Sequence, residues 1–158
     1  MKYRELGKTG LRVSEVGFGP EWMKGTPGET RTVAETCREG GMNLLDCWMA
    51  DPLIRDNLGY AMKGHTDEWI VQGHFGACWV DGQYKRSRDL ELAIPAFEDE
   101  LRRLGVDHFD LGMMHYIDNL DEFNACMQGD FFEYLHGRKE AGVVGHIGLS
   151  THNPHVAR

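Results

Sequence analysis

Trp69-Ile70-Val71-Gln72-Gly73-His74 is an apolar run that closes on a histidine, and Phe75-Gly76 then forces the chain to turn. The design recurs along the chain: residues 42–46 end on Asp46, residues 108–115 on His115 and residues 143–150 on Ser150. Each run has the length and bounding turn residues of a strand. Helix-like segments separate them, so strand alternates with helix, which calls for right-handed crossovers and a parallel sheet. In a parallel β/α barrel the downstream ends of all strands share one rim. Asp46, His74, His115 and Ser150 are therefore expected side by side, although they lie far apart in the chain.

Working outward, residues 3–6 and 11–13 flank Gly7-Lys8-Thr9-Gly10 and read as a hairpin, and residues 15–19 read as a first barrel strand. Thr30 is expected to cap a helix over residues 30–39 that Gly40-Gly41 stops. Asp51-Pro52 has the form of an N-cap followed by proline, opening a helix with Leu53, Ile54, Leu58, Ala61 and Met62 on its buried side. The clearest helix covers residues 89–104, where Leu90, Ala93, Ile94, Phe97, Leu101 and Leu104 fall at helical spacing. Glu98 with Arg102 and Asp99 with Arg103 have ion-pair spacing on it, and Pro95 predicts a kink. Residues 121–141 are expected to be helical with a break near Gly129, and Asn153-Pro154 to open one more helix.

These elements make an N-terminal hairpin plus about five of the eight βα units of a TIM-type parallel barrel. A complete barrel takes ~250 residues, so residues 1–158 are read as one partial domain. An open doubly wound sheet would carry a Gly-x-Gly-x-x-Gly turn after its first strand, and Gly17, Gly19 and Gly25 have the wrong spacing for it.

Composition narrows the function. Hydrophobic residues make up 41% and charged residues 27% of the chain, which fits an ordinary globular protein. The net charge of -8 comes without a basic stripe, so nucleic acid and anionic membranes are poor partners. With no apolar stretch of spanning length and no signal-peptide h-region, a cytoplasmic location is expected. Cys37, Cys47, Cys78 and Cys126 lie far apart without Cys-x-x-Cys spacing, so they read as reduced thiols rather than as metal or cluster ligands. Cys47, next to Asp46, reads either as redox-active or as a small buried residue at a strand end.

Longer stretches carry a resemblance to a known family. Residues 3–14, Tyr-Arg-Glu-Leu-Gly-Lys-Thr-Gly-Leu-Arg-Val-Ser, followed by Val16-Gly17-Phe18-Gly19, resemble the opening of an aldo-keto reductase, whose hairpin plugs the barrel floor. Gly41-Met42-Asn43-Leu44-Leu45-Asp46 resembles the family's second strand with its catalytic aspartate, and Asp110-Leu111 through His115 the fourth strand with its catalytic histidine. Gly142-Val143-Val144-Gly145-His146-Ile147-Gly148-Leu149-Ser150 resembles strand five. The likeness spans nearly the whole chain and is weakest over residues 80–88. It implies an oxidoreductase that moves a hydride between NADP or NAD and a small carbonyl or alcohol substrate. By the same resemblance Asp46, His74 and His115 are the catalytic positions, and Ser150 with Thr151 holds the nicotinamide carboxamide. His74 stands where the family has a lysine, and the family's tyrosine position falls near Asp51, which reads as a helix cap. Asp46-Cys47-Trp48-Met49, Gln72-Gly73-His74 and Leu149-Ser150-Thr151-His152-Asn153 resemble a subgroup that carries a C-terminal ferredoxin-like iron–sulfur segment, so such a cluster would belong to a longer chain.

Hydride reduction of a carbonyl creates an alkoxide that needs a proton donor or a positive field. Contact with Asp46 would favour the charged form of His74 and make it a candidate acid, with His115 orienting the oxygen. Two other readings use the same residues: a divalent metal held by Asp46, His74, His115 and His152, or a barrel module without catalysis. Trp22, Trp48 and Trp79 follow strands and are candidates to wall a substrate pocket. Tyr84 and Tyr116 are candidate replacements for the missing proton donor, with Tyr116 expected to point away from the His115 face. The edges of an incomplete barrel would also favour self-association.

Overall fold

A computed structural model describes residues 1–158. The chain opens with an antiparallel hairpin of β1 (Tyr3–Glu5) and β2 (Arg12–Ser14), turning through Gly7 and Gly10, both in the left-handed region that glycine adopts without strain. Asn43 Oδ1 accepts from the Ser14 N–H at 2.7 Å, and the Tyr3 hydroxyl donates to the Gly41 carbonyl at 2.8 Å. The hairpin is thereby tied to the upstream end of the strand that follows, on the side away from the rim.

Four parallel strands form the central sheet in the order β3 (Leu44–Cys47), β4 (Ile70–Phe75), β7 (Phe109–Met114), β8 (Val144–Leu149). Residues 15–19 are not a strand. Only Phe18 bridges Leu45, through Phe18 N–H to Leu44 O at 2.8 Å and Asp46 N–H to Phe18 O at 2.9 Å. The cause is local: Gly17, Gly19 and Pro20 have little β propensity, and proline cannot donate to a ladder. Phe18 still occupies the first barrel position, so the five positions stand in chain order. The architecture is an incomplete TIM-type (β/α) barrel.

The helices obey their end signals, with shifts. Helix α1 (Pro27–Glu39) starts earlier than Thr30, because Thr26 and Glu29 form a reciprocal capping box ahead of it; Thr30 is instead buried within the helix. In α2 (Pro52–Met62), Asp51 caps as expected, accepting from the Leu53 N–H at 3.0 Å. Ile54, Leu58, Ala61 and Met62 are buried, whereas Leu53 is exposed, one residue too early to face inward. Gly59 sits where α2 meets α3 (Leu90–Leu104): a Cβ there would lie 2.0 Å from the Arg103 carbonyl oxygen. Helix α3 runs on through Pro95 and ends at Gly105 in the left-handed conformation. Asp99 pairs with both Arg102 and Arg103, but Glu98 turns to Arg138 and the Tyr134 hydroxyl rather than to Arg102. Helices α4 (Leu120–Gln128) and α5 (Asp130–Glu140) meet at Gly129, where the break was expected. After Asn153-Pro154 there is only a turn, in which Val156 and Ala157 both donate to the Asn153 carbonyl.

Beneath the sheet, Phe75, Phe97, Phe109, Leu58, Leu104 and Leu135 lie in one continuous apolar core. The Phe75 ring meets Phe97, Phe131 and Tyr134 on the helix side. Strand alternation then turns its neighbour His74 to the opposite face. Within the helical layer lies an ion pair that charge spacing did not suggest: Arg55 donates to Glu100 Oε2 at 2.9 Å, with both side chains almost wholly buried.

Candidate active site

Four strand ends deliver the rim residues. Asp46 is the penultimate residue of β3 and His74 of β4, while His115 and Ser150 follow directly on β7 and β8. All four line one cavity of about 380 Å³, together with Glu21, Trp48, Tyr84, Tyr116 and His152. Thr151 is not on that wall; its hydroxyl donates to Asp118 Oδ1 at 2.9 Å.

The polar side chains form an unbroken line. His74 Nε2 lies 2.7 Å from Asp46 Oδ1, His74 Nδ1 lies 2.9 Å from His115 Nδ1, and His115 Nε2 lies 2.7 Å from the Tyr84 hydroxyl. The register explains the middle contact. His74 stands opposite Met113, and the His115 N–H donates to the Phe75 carbonyl at 3.0 Å, which brings the two imidazoles over adjacent strand ends. His115 is thus bonded at both ring nitrogens and does not offer one to the cavity as expected.

Tyr84 arrives from a feature that the strand and helix pattern missed. Directly after β4 the chain forms an antiparallel hairpin of β5 (Ala77–Val80) and β6 (Gln83–Arg86). The signal was there to read: Asp81-Gly82, both at positive φ, is the two-residue turn that favours hairpins. Gly76 at φ 101 lets the chain enter it, and a Cβ there would crowd the Ser87 carbonyl. Trp48 closes the wall, with its ring stacked over His115 at 5.7 Å and edge-on to Tyr84 at 5.3 Å. Of the other tryptophans, Trp22 is exposed and Trp79 lines a separate cleft beside Ala50 and Pro95.

Tyr116 does face the cavity, contrary to simple strand alternation, because its backbone leaves the strand at φ 52. For a bulky residue this is a strained conformation. Two arginines hold it: Arg86 donates to the Tyr116 carbonyl at 2.8 Å, and Arg88 donates to the carbonyls of His115 and Tyr116 at 2.6 and 3.0 Å.

Electrostatics separate the members of the line. Burial, then the charges of His74 and Arg88, press the His115 imidazole down from 6.5 to about 3, so it stays neutral across the physiological range. Burial alone would raise the Asp46 carboxyl, but the hydrogen bond and charge of His74 outweigh it and hold the carboxyl below its ordinary value. The Tyr84 phenol is raised by burial, against the opposing charges of Arg86 and Arg88. Cys47 is buried and its thiol is driven far up by desolvation, which favours its reading as a small core residue over a redox-active one. All four cysteines are free thiols.

The metal reading receives no matching geometry. His152 is turned to Asp118 at 3.3 Å, and no three His, Cys, Asp or Glu side chains converge in an arrangement that could hold an ion.

A neutral histidine between a phenol and a carboxylate-paired histidine, at the downstream ends of parallel barrel strands, supplies the groups that acid–base chemistry requires. In sequence and in fold the chain is similar over nearly its whole length to aldo-keto reductases. Among particular relatives, the uncharacterized oxidoreductase YqkF of Bacillus subtilis is 29% identical over 167 residues, covering 100% of this chain and 51% of the relative. Aldo-keto reductase YhdN of the same organism is 26% identical, covering 96% of this chain and 47% of its own. The holo form of aldo-keto reductase AKR11C1 from Bacillus halodurans matches with a TM-score of 0.82 at 29% identity, covering 99% of this chain and 52% of that structure. Its apo form matches at 0.69. The chain spans about half the length of the curated relatives it matches. No family model matches it.

Proposed function

We propose that this chain forms the proton-transfer side of an aldo-keto-reductase-type oxidoreductase that interconverts a small carbonyl compound and its alcohol with NADP or NAD. The continuous line Asp46–His74–His115–Tyr84 along one rim cavity carries this reading. Likeness to the holo form of an aldo-keto reductase supports it further. A nicotinamide, when bound, supplies or accepts the hydride at the carbonyl carbon.

The donor set suits the nicotinamide end of such a cofactor. Ser150 presents a hydroxyl on the cavity wall, and its main chain is fixed on both sides, donating to Met114 O at 3.0 Å and accepting from the Ile117 N–H at 2.8 Å. In this reading Ser150 holds the carboxamide, with Thr151 behind it keeping the Asp118 contact that orders the segment. No Lys or Arg lines the cavity, so the phosphates are bound by other residues. His74 and Asp46 hold the mobile proton, and His115 transmits it.

Residues 1–158 act in this reading as one partial barrel domain, placed in the cytoplasm; no helix is long and apolar enough to cross a membrane. An iron–sulfur cluster, which the subgroup resemblance implies, would be carried by residues of a longer chain. The last sheet strand, β8, has one unpaired edge, and self-association through it is the partner interaction we propose.

The test is NADPH- and NADH-dependent reduction of a panel of aldehydes and ketones, followed by loss of reduced-nicotinamide absorbance. Turnover is expected in the wild type, with a loss of about 10²–10⁴-fold on His115→Leu or Asp46→Asn. Stoichiometric metal with metal-dependent turnover would favour the metal reading instead, and neither activity would leave a barrel without catalysis.

A further inference from the structure

We propose that Tyr84 is the catalytic proton donor, and in the reverse direction the acceptor, at the substrate oxygen, and that it is recharged through His115, His74 and Asp46. The proposal deepens the oxidoreductase reading and rests on it.

Among the groups on the cavity wall, Tyr84 alone ends the hydrogen-bonded line with an O–H. Its oxygen lies 2.7 Å from His115 Nε2 and borders the cavity that also holds Asp46, His74 and Ser150. A phenol has the character that the step needs: it stays protonated at neutral pH, yet it is far more acidic than the alcohol it would form. Tyr116, the other tyrosine on the wall, is committed elsewhere, with Arg86 over its ring at 5.0 Å and His152 edge-on at 4.6 Å.

The contacts allow two proton counts, and the step is the passage between them. In the protonated form, His74 donates from Nε2 to Asp46 and from Nδ1 to His115 Nδ1, and His115 donates from Nε2 to the Tyr84 oxygen. The Tyr84 O–H is then free to point at a substrate carbonyl. As the carbonyl carbon gains a hydride, with both electrons coming from the reduced nicotinamide of the proposed reading, the C=O π bond breaks onto oxygen and that oxygen takes the Tyr84 proton. The Tyr84 oxygen takes the His115 Nε2 proton, and His115 Nδ1 takes the His74 Nδ1 proton. His74 is left neutral, still donating from Nε2 to Asp46, and every nitrogen and oxygen keeps a partner. The line has lost one proton and the substrate has gained a hydride and a proton. Water entering the emptied cavity returns the missing proton to Tyr84, and the same shifts run in reverse.

His115 suits the middle position because it is buried and uncharged, so it carries a second ring proton only while passing one on. The charged and titratable groups that act on Tyr84 are Arg86 beside it on β6, Arg88 beyond it, Cys78 on the paired strand and Tyr116, besides His115 itself. The two guanidiniums favour the phenolate that forms transiently.

The experiment uses the whole protein with NADPH and its best carbonyl substrate. Tyr84→Phe keeps the ring against Trp48 and His115 and removes only the hydroxyl. It is expected to lower kcat by about 10²–10⁴-fold while KM and NADPH affinity stay within a few-fold. Replacing Tyr84 by 3-fluorotyrosine, which keeps both shape and hydroxyl, is expected to move the alkaline limb of kcat/KM to lower pH. This arm decides the question if Tyr84→Phe proves unfolded. Full turnover in Tyr84→Phe, a loss confined to Tyr116→Phe, or an unmoved alkaline limb overturns the role of Tyr84 and leaves the oxidoreductase reading intact. A wild type that binds NADPH but reduces no carbonyl, or binds none, overturns both.

Discussion

Arg55 and Glu100, at 1% and 0% side-chain exposure, are ionisable groups placed where solvent cannot reach them. Arg55 uses its fork fully, donating to Met49 O at 3.2 Å, Ala96 O at 2.9 Å and Glu100 Oε2 at 2.9 Å. Glu100 is less well served, since its Oε1 has no partner. Burial pushes its carboxyl above the ordinary range and the Arg55 guanidinium pulls it back. Removing one partner of such a pair leaves the other stranded, at a cost of about 3–5 kcal/mol, whereas replacing both with apolar groups can be neutral. Arg55→Met is therefore expected to lower unfolding free energy by that amount in urea titration, and Arg55→Met with Glu100→Met to recover most of it. None of this was legible beforehand. Arg55 and Glu100 are 45 positions apart, and only the packing of α2 on α3 reveals that they face each other.

Helix and strand units show what periodicity can and cannot resolve. Helices α2, α3, α4 and α5 and strands β3, β4, β7 and β8 follow from apolar spacing, because each buries one face against the same core. Misplacements occur where chemistry rather than spacing decides: the capping box at Thr26 and Glu29 outcompetes Thr30, and Asp81-Gly82 folds the stretch after β4 into a hairpin that the alternation of strand and helix did not show. In the candidate site, the rim positions were readable from strand ends, but the pairing of His74 with His115 depends on register, and that of His115 with Tyr84 on the hairpin. The α2–α3 contact offers a test at this scale. With only 2.0 Å between a Cβ at Gly59 and the Arg103 carbonyl oxygen, Gly59→Ala must separate the helices. Overpacking of this kind costs about 1–3 kcal/mol, expected as a lower denaturation midpoint, and it should loosen the Arg55–Glu100 pair that spans the same helices. An unchanged midpoint would show that the helices slide apart freely.

For the molecule as a whole, the site couples stability to pH. His115, ordinarily near 6.5 and held at about 3 in the fold, binds its proton more weakly when folded than when unfolded. Its contribution is fully present above its unfolded value and is lost as pH falls towards 3. Asp46, whose carboxyl is lowered, acts in the same sense at more acidic pH. Glu100, raised, acts oppositely: its contribution is full below its unfolded value of 4.5 and declines as pH rises. Comparing melting temperatures of the wild type and His115→Gln between pH 7 and 4 isolates the histidine. The wild type is expected to lose its advantage steadily below about pH 6.5. Parallel profiles would mean that the imidazole titrates normally in the fold.

The hairpin of β5 and β6 shares no ladder with the central sheet. The Asp46–His74–His115 portion of the line belongs to the barrel, whereas its terminal phenol rides on a separate flap inserted between β4 and α3. Within residues 77–86, replacing Tyr84 alone would change the proposed terminal acid while Cys78 stays in the core and Arg86 on the Tyr116 carbonyl, so one proton store would serve different terminal acids.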